Sequence, residues 1–262
     1  MLLGLAAAIK GPPLIFAAYL IWRCRWSAAA VMLIVAVGVG FIPDLIGSPP
    51  DGGTWLQYSW TRIVVPSQQL TMPAGTWFSA VIYNQSLNAA MQRWFGATVE
   101  PRTLKLATYS IMLLMLAVSL AASMRGQGIG PRSPMDAPLP SQTALELAAT
   151  MLLALIFSPM TGLAHYGVLI LPAFCLARLA LIGNRRWALA TVLAVLAIAL
   201  AAGKDLVGST AYTAAMWAGA PFIGLVILWL GCIVATACGQ GLAVLPSLSR
   251  SLLPWWPRRQ PG

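Results

Sequence analysis

Residues 104–123 read LKLATYSIMLLMLAVSLAAS, twenty positions with a single charge, Lys105, at the leading edge. A helix rises about 1.5 Å per residue, so about 20 such residues cross the hydrocarbon core of a bilayer. The stretch is not isolated. Comparable runs recur at roughly 2–22, 27–47, 143–160, 164–182, 186–202 and 216–238, about seven in all. The alternating ten-residue segments of a membrane β-barrel do not occur. The fold class expected is all-α, a polytopic transmembrane helical protein forming one membrane domain over 1–262.

Composition agrees. Of 262 residues, 59% are hydrophobic and 8% charged, against about 25% charged in a soluble domain. Mean hydropathy is +0.80. The net charge of +10 does not read as a nucleic-acid footprint, because the cations sit in short loops between apolar runs. There they set orientation. Arg23 and Arg25, Arg125 and Arg132, then Arg178, Arg185 and Arg186, and finally Arg250, Arg258 and Arg259 mark every second connection as cytoplasmic. The opposite side receives the N-terminus, an interfacial segment at 48–103, the turn from Ser158 to His165 and the loop 203–215. The Gly/Pro/Ser-rich stretch 124–142 is a cytoplasmic loop. The tail 246–262, with its Trp pair before Arg258, is an interfacial anchor. Cys24, Cys175, Cys232 and Cys238 lack metal-ligand spacing and read as small hydrophobes.

Polar residues are therefore conspicuous. Residues 83–95, YNQSLNAAMQRWF, place Leu87, Ala90, Met91, Trp94 and Phe95 on one helical stripe, with Asn84, Asn88 and Gln92 on another face. The pattern predicts an amphipathic helix in the membrane interface, apolar side in lipid, with Asn84, Gln85, Ser86 and Arg93 free to meet a polar ligand. Amides donate and accept hydrogen bonds, which suits sugar hydroxyls. Plain solvation of a surface helix is the competing reading, and NQS also matches an N-x-S glycosylation acceptor.

His165 is the chain's single histidine. Ser158, Thr161 and His165 stand at i, i+3 and i+7, so a helical turn would present all three together. Lys10, inside LAAAIKGPPLIF, would cost roughly 2.5–3.5 kcal/mol near mid-membrane. It needs either a counter-charge, such as a lipid phosphate, or a break at Gly11-Pro12-Pro13 that lets it snorkel. Trp55, Tyr58, Trp60 and Trp77 fit a membrane boundary or an aromatic platform. Asp44 and Asp51 are the candidate carboxylate bases, each in a turn, where Asp is common anyway. Lys204 and Asp205 read as a solvated pair. No nucleotide-binding loop, metalloprotease or serine-hydrolase motif is present, and no metal site is expected.

Three blocks, GLAAAIKGPPLIFAAYLIWRCRW (4–26), NQSLNAAMQRW (84–94) and SPMTGLAHYGVLILP (158–172), resemble glycosyltransferase family 87 in order and spacing. That resemblance implies a GT-C-like membrane mannosyltransferase of an actinobacterial plasma membrane. It uses a polyprenyl-phosphate sugar as donor substrate, no separate cofactor, and a glycolipid or envelope glycan such as a lipoglycan as acceptor. It implies an inverting transfer in which a carboxylate deprotonates the acceptor hydroxyl and lipid phosphate leaves. Lys10, Arg93 or Lys105 would then steady the phosphate, with Asn84, Gln85 and His165 holding sugar or phosphate oxygens. The family places its acidic base in an external loop near the start and the Lys10 block mid-chain, so the chain is expected to lack both the upstream spans and that base, with Asp44 and Asp51 as the weaker candidates left within it. The family's second histidine is Ala164 here. The competing classes are a transporter or flippase, which should show paired repeats, and a non-catalytic membrane partner.

Overall fold

Prolines decide how the chain enters its bundle. The computed structural model describes residues 1–65, 82–127 and 140–238. Helix α1 (Leu2–Ile9) stops at Lys10, whose backbone is extended (φ −143°, ψ 113°). One 3₁₀ turn, Pro12–Leu14, follows, and then α2 (Ile15–Trp22). Proline lacks the N–H that would carry the helix on. The segment 2–22 is thus two short helices rather than the continuous span expected. Both pack on α3 (Trp26–Gly40). Gly4 lies so close to α3 that an added Cβ would stand 2.5 Å from the Met32 carbonyl oxygen. Met1 and Leu3 line a surface pocket together with Leu20, Ser27 and Val31. Met1 therefore lies at the same end as Arg23 and Arg25, not opposite them as the charge pattern predicts. The tip of this hairpin, bearing Lys10, points to the other end.

The remaining helices are α4 (Trp55–Ser59), α5 (Leu87–Phe95), α6 (Pro101–Gln127), α7 (Pro140–Phe157), α8 (Ile170–Leu181), α9 (Arg186–Ala201), α10 (Lys204–Trp217) and α11 (Ala220–Ala237). No strand occurs among the described residues. Four segments are long and apolar enough to cross a membrane: Trp26–Leu45, Pro101–Arg125, Leu163–Leu181 and Ala220–Ala237. Helices α9 and α10 meet at 86° and make a fifth if counted as one broken span. Pro12–Trp22 and Gln142–Phe157 are shorter apolar helices. The seven apolar runs are all helical, but they are not seven full-length spans.

Helix α11 is the axle. It packs against α6, α7, α8 and α9, and Leu225, Leu228, Cys232 and Ala235 are completely buried. Gly231 permits the approach, since a Cβ there would meet Leu176 at 2.8 Å and Thr191 at 3.0 Å. Hydroxyls in the bundle bond back along their own helices: Ser119 to the Met115 carbonyl (2.9 Å), Thr150 to Glu146 (2.8 Å) and Thr236 to Cys232 (2.8 Å). Away from water a hydroxyl has no other cheap partner.

One charge pair is sealed inside. Glu146 on α7 accepts from Arg23 through Nε and NH2, from Tyr19 Oη at 3.2 Å and from Ser123 Oγ at 2.8 Å. Its side chain is 2% exposed and that of Arg23 11%. The pair ties the α1–α3 hairpin to α6 and α7. Breaking a buried pair leaves one bare charge and costs about 3–5 kcal/mol, whereas replacing both members is often neutral. Glu146→Ala should therefore lower the unfolding free energy by about that amount, and Arg23→Met with Glu146→Leu should recover most of it. Denaturant unfolding of the purified protein in mixed micelles measures both.

Candidate functional site

The polar segment before α5 is a fastener, and its chemistry explains why it is buried. Asn84, Gln85 and Ser86 are each 0% exposed. Asn84 Nδ2 donates to the Pro159 carbonyl (3.0 Å), while Asn84 Oδ1 accepts from the Thr161 N–H (3.0 Å) and the Ser86 N–H (3.3 Å). The Gln85 N–H donates to the Thr161 carbonyl (2.7 Å), and Gln85 Nε2 to the Met216 carbonyl (3.0 Å). Ser86 Oγ caps α5 by accepting from the Ala89 N–H (3.2 Å) and donates to Pro159 (3.4 Å). These bonds join the chain before α5, the turn after α7 and the end of α10. A buried N–H or C=O left unmatched costs about 1–3 kcal/mol. An amide carries a donor and an acceptor at fixed positions on one side chain, so it can match both kinds at once.

The expectation of an amphipathic helix with its apolar side in lipid is corrected here. Leu87, Ala90 and Met91 are buried in the main hydrophobic core, and Trp94 packs edge-on to Phe222 at 5.9 Å. Phe95 alone of that stripe is exposed. The helix is short enough to sit beneath the other elements, and protein rather than lipid covers its stripe. Full burial of Asn84 also removes it as an exposed glycosylation acceptor.

Arg93 extends the fastener. Its NH1 donates to the Asn84 carbonyl (2.5 Å), NH2 to Gln85 Oε1 (3.4 Å) and Nε to the Trp217 carbonyl (3.3 Å). Burial pushes its pKa down from the ordinary value, while neighbouring Tyr166 acts the other way. Gly219 follows in the left-handed region (φ 78°), where a Cβ would stand 3.0 Å from Trp94. That turn needs glycine for conformation and for space.

Ser158, Thr161 and His165 do not share a helical face. Pro159 breaks the helix, the chain from 158 to 162 is irregular, and a 3₁₀ helix runs over Leu163–Leu169. Ser158 Oγ donates to the Met160 carbonyl (2.8 Å) and Thr161 Oγ1 to the Leu155 carbonyl (2.6 Å), closing the end of α7. His165 is only half buried, and its Nε2 lies 3.0 Å from Nζ of exposed Lys10. An ammonium must donate, so Nε2 accepts and the ring proton sits on Nδ1, 3.2 Å from the Gly162 carbonyl. The alternative, with Gly162 N–H donating to Nδ1 at 3.0 Å, would set an Nε2–H against the lysine protons. Lys10 thus lies at the hairpin tip, where Gly11-Pro12-Pro13 ends the helix, and its nearest partner is an imidazole. Tyr166, the next residue, has a buried hydroxyl without a hydrogen-bond partner among the described residues. In sequence a tyrosine inside an apolar run looks like packing, so nothing there marks Tyr166 out.

Asp44 lies at the far end of α3 from Arg25, the end shared with Lys10. Its Oδ1 accepts from the Trp55 N–H at the start of α4 (2.7 Å), and its Oδ2 is buried without a partner. Asp51 instead pairs on the surface with Arg62 at 2.6 Å. Trp55 packs edge-on to Tyr58 at 5.5 Å, and Trp60 is exposed. Lys105 is exposed, 5.8 Å from the Tyr109 ring centroid, and Lys204 and Asp205 are exposed at the start of α10. Trp77, Arg132 and the tail 246–262 lie outside the described residues. No group of three or more potential metal ligands occurs among the described residues.

A helical membrane bundle with a cation–imidazole pair and a stapled polar layer at one end is the class defined so far. The model of glycosyltransferase family 87 matches residues 1–159. That is more than half of the 262-residue chain, and the protein belongs to this family. It is therefore a membrane glycosyltransferase. The match takes in Lys10, Asp44, Asn84, Gln85, Ser86, Arg93 and Ser158 and stops six residues before His165. Comparison with curated proteins and with solved structures gave no match.

Because Asn84 bonds three separate groups, Asn84→Ala should act first on the fold. The expected outcome is a loss of about 1–3 kcal/mol in stability, measured as a fall in the thermal midpoint in micelles. Ser86→Ala should lose about 1 kcal/mol through the cap.

Proposed function

We propose that the protein moves a sugar, mannose in the first instance, from a polyprenyl-phosphate donor to a lipid-linked or envelope glycan at the outer face of a bacterial plasma membrane. The observation that carries this reading is the Lys10–His165 pair. It is an accessible ammonium 3.0 Å from an imidazole, at the end of the bundle away from Arg23 and Arg25. The leaving group is a phosphodiester's lipid phosphate, an anion. A fixed cation beside it favours charge that develops as the glycosidic C–O bond breaks. Lys10 meets that need, His165 keeps the lysine aimed, and Arg93 adds positive potential from behind the fastener. Tyr166 offers its unpartnered hydroxyl to a phosphate or sugar oxygen. Asn84, Gln85 and Ser86 serve by fixing the turn that carries His165, without touching the sugar.

The chemistry also needs a base. Of the two candidate carboxylates, Asp44 fits better than Asp51. One of its oxygens is anchored by a helix N–H and the other is unmatched, whereas Asp51 is neutralised by Arg62. Asp44 would take the acceptor hydroxyl proton as that oxygen attacks the anomeric carbon and the lipid phosphate departs with the bonding electrons. The sugar configuration would invert.

Lys10→Gln should reduce kcat about 10²-fold, the scale seen when one transition-state donor is removed. His165→Ala should lose a similar factor, and the double variant little more, because the two act as one unit. Transfer of labelled mannose from polyprenyl-phosphate mannose to membrane glycolipid measures this. Wild-type rates in both single variants would remove the pair from the site. Asp44→Asn should abolish transfer while leaving the thermal midpoint within a few degrees, and retained activity would exclude Asp44 as the base.

A further inference from the structure

The bundle holds a second feature besides the pair just described. A cavity of about 300 Å³ lies between α2, α6, α7 and α11. On three of these helices the lining covers equivalent stretches: Ile15 to Trp22, Leu116 to Ser123, and Glu146 to Leu153. Each spans seven steps, and seven steps of helix rise about 10 Å. The cavity is therefore a slot running along the helices, a shape suited to a chain rather than to a ring.

Its walls look polar in sequence but not in bonding. The Ser119, Thr150 and Thr236 hydroxyls donate to carbonyls of their own helices, and Ser123 and Tyr19 donate to Glu146. The carboxylate is fully engaged with Arg23 as well. One donor remains: the indole Nε1–H of Trp22, buried and without a hydrogen-bond partner among the described residues. Trp22 lines the slot at the arginine-bearing end. Two exposed cations, Arg25 and Arg125, lie three residues beyond Trp22 and two beyond Ser123. Glu146, the acid at this end, is already neutralised.

We infer that this slot is a binding site for one acyl chain of an anionic glycerophospholipid from the arginine-bearing leaflet. Arg25 and Arg125 would meet the headgroup, and an ester or phosphate oxygen would take the Trp22 indole proton. An apolar cavity of about 150 Å³ already stays dry and takes up an apolar guest, and this one is twice that volume. A tryptophan N–H beside basic residues is also the arrangement that suits a membrane boundary. The polar end of the slot lies with Trp22 and Arg23, at the opposite end of α2 from Lys10, and the proposal does not depend on the reaction proposed there.

The experiment is native mass spectrometry of the intact protein after delipidation, with phosphatidylglycerol, phosphatidylcholine of the same chains, or a polyprenyl phosphate added back. Wild type should retain one phosphatidylglycerol, with about tenfold preference over phosphatidylcholine. Ala149→Phe, which fills the slot, should lose retention about tenfold. Leu120→Trp, at a half-buried lining position, repeats the test if the first variant does not fold. Arg25→Gln with Arg125→Gln should abolish the headgroup preference while leaving a chain bound. Equal retention by wild type and a folded slot-filled variant overturns the proposal. So does preferential retention of polyprenyl phosphate, which would make the slot part of the donor path.

Discussion

Asn84 is the residue on which the Lys10–His165 end of the molecule depends. Its side chain donates to Pro159 and accepts from Thr161, so the break after α7 is held in a single conformation from outside its own helix. Proline had removed the ordinary way of satisfying that backbone. In a protein surrounded by hydrocarbon, water cannot substitute. His165 lies four residues past Thr161, and its position relative to Lys10 follows from this joint. Gln85 and Arg93 do the same for the end of α10. One short segment thus sets the relative placement of three connections that are far apart in sequence.

The two ends of the bundle handle charge differently. At one, Arg23 and Glu146 are sealed together with tyrosine and serine donors, which locks the hairpin against α6 and α7. At the other, Lys10 meets the His165 imidazole, with no carboxylate beside it among the described residues. A matched pair buried in a bundle is a joint. An accessible cation with an imidazole neighbour still has most of its charge to give to an anion. That contrast, more than any motif, separates the sealed end of the bundle from the Lys10 end, where the reaction is proposed.

Much of this was legible in the residues. Apolar length alone established the helices, because a 20-residue run has few other solutions. The convergence of residues 84–93 with the Ser158–His165 turn was also foreseeable, since the arginine pattern put both on one side. What could not be read was depth. The same amide-and-apolar pattern fits a helix floating in lipid or one packed under protein, and only tertiary contacts around Leu87 and Ala90 distinguish them. The double proline at 12–13 signalled a break, yet not that α1 would fold back so that Met1 joins Leu20 and Ser27. Glu146 gave no signal at all. A lone acid near the start of an apolar run looks like a loop-edge residue until Arg23, 123 positions away, is found against it.

The order of the helices has a bearing on biogenesis. Helix α11, the last described in the chain, is the one around which α6, α7, α8 and α9 assemble. Each earlier segment can enter the bilayer as it leaves the ribosome, and α1 to α3 can pack on one another, but the shared inner face of α6, α7, α8 and α9 is not covered until residues 220–237 arrive. Helices then wait side by side in lipid and associate late, by close packing at small residues such as Gly231 rather than by escape from water. A lesion in α11 would therefore be felt at once by α6, α7, α8 and α9, which share no other common partner among the described residues.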